Sequence, residues 1–172
     1  ESRWRLLFAG RMDFLKGGLV LLEALPAVAA SVPRPVRLVF AGDGPDRSRW
    51  ERRAREIQGS HPGVEISFTG WIPQAQVSEL LDDTDLLVVP SLWPEPFGTV
   101  GPAAGCHGVP AAAFAVGGIP TWLRNGVNGH LAPGDPPTAS GLADAIIQCL
   151  IDPSHHAHLQ QGARELGARF NM

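Results

Sequence analysis

The chain has 172 residues, of which 44% are hydrophobic and 18% are charged, and these values are typical of one ordinary globular domain. The formal net charge is −3, so the composition argues against a nucleic-acid-binding surface. No apolar run reaches the unbroken length that we expect of a membrane-spanning helix.

Six apolar segments have the length of buried strands, and helical patterns separate them. Strict alternation of strands and helices predicts an α/β fold with a doubly wound, parallel, six-stranded sheet of the Rossmann-like kind. No linker divides the chain, so we expect residues 1–172 to form a single domain. The strands are predicted at 4–9, 36–41, 64–69, 85–89, 109–113 and 129–131, and the helices at 17–31, 45–58, 74–82, 99–106, 119–124, 138–150 and 154–169.

Two cations follow the first predicted strand, in the segment that begins at Gly10. Arg11 offers a planar guanidinium fork and Lys16 offers a mobile point charge. Because ligands of such sheets bind beyond the carboxyl ends of the strands, one interpretation is a phosphate site. The other is a solvated loop with two ordinary surface cations.

The loops after the second and third strands carry glycines. Gly42 and Gly44 form a G-x-G pair, but the third glycine of the dinucleotide fingerprint is absent, so we expect a tight turn near a ligand rather than an NAD site. Gly70, Trp71 and Ile72 follow the third strand. Trp71 suits two roles, stacking on a nucleotide base or closing the edge of the core.

A loop rich in proline and glycine follows the fourth strand and holds one carboxylate, Glu95. A short helix then begins near Gly98, and the free backbone N–H groups of Gly98, Thr99 and Val100 suit a bound phosphate. Glu95 would repel a phosphate, whereas a carboxylate accepts hydrogen bonds from sugar hydroxyls. Its alternative role is that of a charge partner for the helix N-terminus.

Four short motifs occur in a fixed order in the second half of the chain: Pro90-Ser91, Glu95-Pro96-Phe97-Gly98, Gly108-Val109-Pro110 and Gly117-Gly118-Ile119-Pro120. On these residues the chain resembles the C-terminal, donor-binding domain of the retaining GT-B glycosyltransferases of family 4, the group 1 glycosyltransferases. Two positions depart from the family pattern. Ala103 and Thr121 stand where the family has glutamate.

The resemblance implies a hexosyltransferase-like enzyme that moves a sugar, with retention, from a nucleotide diphosphate sugar to an unknown acceptor. It also assigns roles to residues. Arg11, Lys16 and Glu95 would be catalytic, and the diphosphate would be held by Gly10, Arg11, Lys16, Gly98, Thr99 and Val100. The nucleotide base would lie near Gly42, Gly44, Gly70, Trp71 and Ile72, and the donor sugar near Glu95 and Phe97.

An N-terminal, acceptor-binding domain belongs to the same family pattern, so we expect the chain to be a piece of a two-domain protein and to be inactive alone. We expect no metal, no other cofactor and no transmembrane segment, and a cytoplasmic location, with peripheral attachment to the inner face of the membrane left open. Because of Ala103 and Thr121, the alternative is a degenerate, non-catalytic nucleotide-binding or interaction module. A sugar-nucleotide epimerase of related fold ranks third.

Other groups that suggest a metal site are interpreted as structural. Asp83 and Asp85 resemble a D-x-D metal motif, but they span a helix end and a strand start, which would point the two carboxylates apart. The histidines of the last helix, His155, His156 and His158, lack acidic or cysteine partners and are expected on a solvated face. The cysteines, Cys106 and Cys149, are expected to be buried.

Overall fold

The computed structural model describes residues 2–94 and 100–170, and of residue 170 only the backbone. Six strands and six α-helices alternate along most of this length. The strands are β1 (Trp4–Ala9), β2 (Val36–Ala41), β3 (Val64–Gly70), β4 (Leu86–Val89), β5 (Ala111–Phe114) and β6 (Gly129–Ala132). The helices are α1 (Gly18–Ser31), α2 (Arg47–Ser60), α3 (Gln74–Asp82), α4 (Val100–Cys106), α5 (Ala139–Leu150) and α6 (Pro153–Phe170).

All the strands pair in parallel, in the order β3-β2-β1-β4-β5-β6. The predicted doubly wound, Rossmann-like sheet is therefore confirmed. The order of the strands reverses between β1 and β4, which are neighbours in space although two strands separate them in sequence. In open α/β sheets, ligands bind in the crevice beyond the carboxyl ends of the strands at this point of reversal.

Hydrophobic side chains cover both faces of the sheet, as a parallel sheet requires. Along β2, Leu38 and Phe40 belong to the larger core cluster, which includes residues of α1, α2 and α5. The intervening Val39 and Ala41 face the smaller cluster, which contains Leu81 of α3 and other apolar residues. The alternation along one strand thus places a core on each side.

The sequence was expected to contain no apolar run of membrane-spanning length. The segment Phe14–Ser31 nevertheless has a mean hydropathy of 1.5 over 18 residues, so by length and composition alone it is apolar enough to cross a membrane. In the structure it is a single 3-10 turn, Phe14–Lys16, followed by α1. The inner side of α1 is fully buried at Leu21, Leu22, Leu25 and Val28. Its apolar character therefore serves the protein core.

One predicted helix is much shorter in the structure. The helix predicted at 119–124 is only a 3-10 turn, Ile119–Thr121, because the chain then folds back through hydrogen bonds to Asn128. Asn128 Oδ1 accepts the backbone N–H of Arg124 at 2.7 Å, and its Nδ2 donates to the Trp122 carbonyl at 2.8 Å. A turn fixed by a side chain cannot continue as a helix.

Candidate functional site

The loops at the carboxyl edge of the sheet are joined by backbone hydrogen bonds. The Met12 N–H donates to the Asp43 carbonyl at 2.9 Å, which ties the loop after β1 to the loop after β2. The Gly42 N–H donates to the Gly70 carbonyl at 3.1 Å, which ties the loop after β2 to the end of β3. Leu92 N–H donates to Leu15 at 2.8 Å, which adds the loop after β4. The edge is thus one continuous rim.

Glycine permits the closest approach within this rim. Gly17 has φ 77°, and a Cβ placed on it would overlap the carbonyl oxygen of Pro90. Only glycine relieves both constraints, the left-handed backbone and the contact with the neighbouring loop. The loop that carries Arg11 and Lys16 is therefore pressed against the loop that follows β4.

A first cavity of about 400 Å³ opens at the rim between the first three loops. Backbone and small groups form much of its floor, and one cation, one carboxylate and one large aromatic ring surround it. Its lining includes Gly10, Arg11, Gly42, Asp43, Trp71, Ile72, Gln74, Val77 and Val100. Six residues that the sequence assigned to diphosphate or base contacts thus line one cavity: Gly10, Arg11, Gly42, Trp71, Ile72 and Val100.

A second cavity of about 270 Å³ lies beside the first and shares Ala9, Gly10 and Val100 with it. It extends toward the loop after β4. The remaining lining includes Lys16, Pro90, Ser91, Ile119 and Trp122. Together the two cavities form a continuous groove with Arg11 in one half and Lys16 in the other, and Gly10 and Val100 lie between them.

The Arg11 side chain is 65% exposed, and its Nε lies 3.5 Å from Asp13 Oδ2. Asp13 Oδ1 is buried and has no hydrogen-bond partner among residues 2–94 and 100–170. A bound anion can therefore reach Arg11, but Asp13 opposes it electrostatically. The sequence interpretation overlooked Asp13, although a carboxylate two residues from a cation at a strand end is a visible signal.

Trp71 is 76% exposed. Its ring lines the first cavity and does not close the edge of the core, so of the two roles weighed from the sequence only the first remains compatible with its position. An exposed indole at the mouth of a cavity offers an apolar face on which a planar ring can stack. Gly44, assigned to the same region, instead packs against the backbone of Met12.

Asp43, at the edge of the first cavity, is held in place by its neighbours. Its Oδ1 accepts the Gly44 N–H at 2.8 Å, and its Oδ2 lies 3.2 Å from Arg47 Nη1. Arg47 also binds Glu51, and this hydrogen bond is the main reason that the pKa of Arg47 is raised. The fixed carboxylate suits hydrogen-bond donors of a ligand, and the sequence interpretation did not identify it.

Ala103 lies on α4, one turn after the cavity-lining Val100 and therefore on the same side of the helix. His107 follows on that side, with Nδ1 2.7 Å from Asp82 Oδ1 and Nε2 3.1 Å from Ser78 Oγ, both on α3. This side of α4 thus faces α3. Ala103 is half-buried there.

Four of the predicted site residues, Glu95, Phe97, Gly98 and Thr99, lie outside the described residues. Thr121 is exposed, and its hydroxyl donates a hydrogen bond to the Gly118 carbonyl. Of the diphosphate set, the described members are Gly10, Arg11, Lys16 and Val100, and all four line the groove.

Asp83 and Asp85 lie at the opposite, amino edge of the sheet, and their geometry differs from the prediction. Both carboxylates face one guanidinium: Arg5 Nη2 lies 3.2 Å from Asp85 Oδ1, and Arg5 Nη1 lies 3.8 Å from Asp83 Oδ1. The hydrogen bond to Asp85 is the main reason that the pKa of Arg5 is raised. A cationic side chain thus occupies the place between them.

Of the three histidines of α6 that were expected on a solvated face, His158 lies there, whereas His156 and His155 do not. His156 is buried, its Nε2 lies 2.9 Å from the Asp85 carbonyl, and its ring packs edge-on against Trp4. His155 Nε2 lies 2.8 Å from Nε2 of the buried His130. The partners are far away in sequence, so the local pattern gave no signal. His158 is exposed.

The two cysteines also differ in burial. Cys149 is fully buried as expected, and burial raises the pKa of its thiol strongly. Cys106 was also expected to be buried but is exposed, because it ends α4 at the surface, where its Sγ lies 3.6 Å from the carbonyl oxygen of Gly167. Neither thiol lines the groove.

Comparison with known proteins agrees with this geometry. A sequence model described as "Glycosyl transferases group 1" matches residues 3–152. The D-inositol 3-phosphate glycosyltransferase of Xylanimonas cellulosilytica is 34% identical over 174 aligned residues, which cover 96% of this chain and 38% of that protein. The phosphatidyl-myo-inositol mannosyltransferase of Mycobacterium tuberculosis is 32% identical over 148 residues, covering 84% of this chain and 37% of that protein.

Solved structures show the same architecture. The crystal structure of Anabaena HepE in complex with UDP and glucose superposes with a TM-score of 0.81 at 26% identity, over 97% of this chain and 44% of that chain. Sucrose-phosphate synthase from Thermosynechococcus elongatus gives a TM-score of 0.77 at 31% identity, over 98% of this chain and 41% of that chain. The chain thus spans less than half the length of the relatives that it matches here.

Proposed function

Because the chain belongs to the group 1 glycosyl transferases, we propose that it is the donor-binding domain of an enzyme that transfers a sugar, with retention, from a nucleotide diphosphate sugar. The observation that carries this proposal is the groove, in which Arg11, Lys16, Gly10 and Val100 converge between a site for a planar ring and the loop after β4. That order, ring then cations then loop, matches the order of base, diphosphate and sugar in a donor.

Arg11 and Lys16 would neutralise the diphosphate while it leaves the sugar. Charge that develops on a leaving group is stabilised most by cations already in place, because nothing has to reorganise during the reaction. No metal or other cofactor is needed in this scheme. Val100, the first described residue of α4, lines the groove, and free backbone N–H groups at a helix N-terminus attract phosphate oxygens. Gly98 and Thr99 would add to the same set.

Trp71 would stack on the base, with Ile72, Gly42 and Gly70 shaping the space around it, and Glu95 and Phe97 would contact the sugar. UDP is the first ligand to test, because HepE was crystallised with UDP and with UDP-glucose. The acceptor would be bound by a further domain. We therefore expect the isolated chain to bind donor but to transfer no sugar, since closure of a second domain excludes water and brings in the acceptor.

The role of Glu95 is tested by titrating UDP and UDP-glucose into the parent chain and into Glu95→Gln by calorimetry. Loss of a charged hydrogen bond costs about 1.5–3 kcal/mol, or roughly ten- to a hundredfold in affinity. We expect that loss for UDP-glucose and unchanged affinity for UDP. Equal losses for both ligands would contradict a contact with the sugar.

A second candidate function is a degenerate nucleotide-binding or interaction module. Ala103 and Thr121 favour it, because the family pattern has carboxylates at both positions. The two candidates are separated by Ala103→Glu, which restores a carboxylate on the side of α4 that contains Val100. If the family register holds, the new side chain reaches the ribose hydroxyls, and UDP affinity rises about tenfold.

Thermal unfolding offers a simple form of this test. A ligand at about a hundred times its dissociation constant stabilises a fold by about 2.7 kcal/mol. This stabilisation grows with the ratio of ligand concentration to dissociation constant, and Ala103→Glu is expected to bind UDP more tightly. At the same UDP concentration, the melting temperature of Ala103→Glu should therefore rise by more than that of the parent. If the variant folds and UDP changes the melting temperature of neither protein, a non-catalytic interaction module is the better description.

A further inference from the structure

Helix α2 contains five arginines, and two of them are held by carboxylates. Arg47 binds Asp43 and Glu51, at 3.2 and 3.0 Å. Arg53 binds Glu23 of α1 and Glu56 of α2, at 2.6 and 3.0 Å. These two side chains are part of the internal framework that joins α2 to its neighbours.

The other three form an exposed group, called the arginine face below: Arg49, Arg52 and Arg55. They recur every third residue, so they follow one side of the helix over about 9 Å. Within residues 2–94 and 100–170, none of the three has an ion pair or a side-chain hydrogen bond. Glu56 shares this side, but Arg53 Nη1 already binds it. The three charges are thus directed to solvent without compensation.

The apolar side of α2 is buried in the core. Trp50, Ala54 and Ile57 are buried, and the Trp50 ring packs against Gly18 at the start of α1. The helix cannot turn its apolar residues outward without losing this packing. Whatever binds α2 must therefore bind its charged, exposed side.

Exposed apolar side chains lie at the end of α2 nearest the groove. Phe14 is 59% exposed and Leu15 is 46% exposed. Their loop is fixed to the start of α2, because the Asp46 N–H donates to the Met12 carbonyl at 2.9 Å. Exposed apolar groups beside unpaired cations are the combination that binds the interface of an anionic membrane, where the cations meet lipid phosphates and the apolar groups enter the headgroup region.

We propose that the arginine face, with Phe14 and Leu15 at its end, docks this domain on an anionic phospholipid surface. A nucleic acid fits less well, because the chain has a net charge of −3 and α2 has no exposed aromatic ring on which a base can stack. Binding to an anionic lipid surface requires only a local patch of positive charge, whatever the net charge of the whole chain. This docking is independent of nucleotide binding, because none of the arginine face lines the groove.

The test is co-sedimentation of the chain with vesicles of phosphatidylcholine alone and of phosphatidylcholine mixed with phosphatidylglycerol. We expect binding only to the mixed vesicles, and weaker binding as salt is raised. The variant Arg49→Gln/Arg52→Gln/Arg55→Gln should lose up to roughly a hundredfold in affinity, since each arginine near an anionic surface contributes about fivefold. Phe14→Ser should weaken binding without changing its dependence on salt.

A matched control removes the same charge from other surfaces, as Arg37→Gln/Arg124→Gln/Arg164→Gln, and should bind mixed vesicles as the parent does. Circular dichroism verifies that each variant is folded. The proposal is overturned if the parent ignores mixed vesicles or if the control loses as much as the arginine-face variant. It is also overturned if the arginine face is needed for binding a labelled DNA or RNA oligonucleotide and not for binding vesicles.

Discussion

Both edges of the sheet carry charged side chains, but the contacts of these side chains differ. At the amino edge, side chains bind one another: Arg5 binds Asp85, Arg3 binds Glu65, and His156 binds the carbonyl of Asp85. At the carboxyl edge, a groove remains open, lined largely by glycine, backbone and the cations Arg11 and Lys16. The mere presence of charged side chains therefore does not separate the two ends.

What separates them is the backbone. At the carboxyl edge Gly17 brings two loops into contact and the Arg11 side chain stays 65% exposed beside Asp13, whereas at the amino edge Arg5 is held by Asp83 and Asp85. A phosphate can compete for a solvent-exposed cation but not for a guanidinium already fixed by two hydrogen bonds. The comparison therefore predicts that substitutions at the amino edge affect stability alone, and that those at the carboxyl edge separate into structural and ligand-binding effects.

The largest effect is expected for Gly17→Val. The added side chain would overlap the Pro90 carbonyl and would force a β-branched residue into φ 77°. Strain and overpacking together should lower the free energy of unfolding by about 3 kcal/mol or more. Chemical denaturation measures it, with Gly59→Ala as control, because Gly59 has nothing within 4 Å of its added Cβ. Equal stability of the two variants would contradict the role of this contact.

Asp85→Asn sharpens the comparison from the amino edge. The Asp85 side chain is only 15% exposed and accepts hydrogen bonds from the backbone and the guanidinium of Arg5. Removing its charge should cost about 1.5–3 kcal/mol in the free energy of unfolding. UDP affinity at the other edge should not change. A loss of UDP affinity in a fully folded variant would break the separation of the two edges.

Trp71→Ala should do the opposite. Since the indole is 76% exposed, its removal should change the free energy of unfolding by less than about 0.5 kcal/mol. Loss of stacking should weaken binding of uridine and of UDP alike, by about 1–3 kcal/mol. Calorimetry with both ligands tests this. Retained nucleoside affinity would place the base elsewhere in the groove.

The smallest effect concerns pH and His130, whose pKa is lowered below 6.5 by burial first and by the charge of His155 second. The unfolded chain then binds a proton at a higher pH than the folded chain does. The contribution to stability is therefore complete above the usual histidine range and is lost as the pH falls, with a slope of at most about 1.4 kcal/mol per pH unit. His130→Gln should flatten this slope in denaturation experiments between neutral and acidic pH. An unchanged slope would assign the dependence to other groups.

The sequence predicted the sheet closely because period and apolarity are local signals. Four of the six predicted strands begin at the residue where the structure begins them, and the glycine loops line the groove. The pairs His130 with His155 and His156 with Asp85 were not predictable. Their members are 25 and 71 residues apart, and only the packing of α6 brings them together. Asp13 and Asp43 were not predicted, because the motifs of these two loops were defined by the cation Arg11 and by the glycines Gly42 and Gly44.

The central claim is that the groove at the carboxyl edge binds a nucleoside diphosphate through Arg11 and Lys16. Its most direct test is calorimetric titration of uridine and of UDP into the parent, Arg11→Ala and Lys16→Ala. Each variant should lose roughly ten- to a hundredfold in affinity for UDP and should bind uridine as the parent does, because only the diphosphate meets the cations. Equal losses for the two ligands, or undiminished affinity for UDP, would contradict the account.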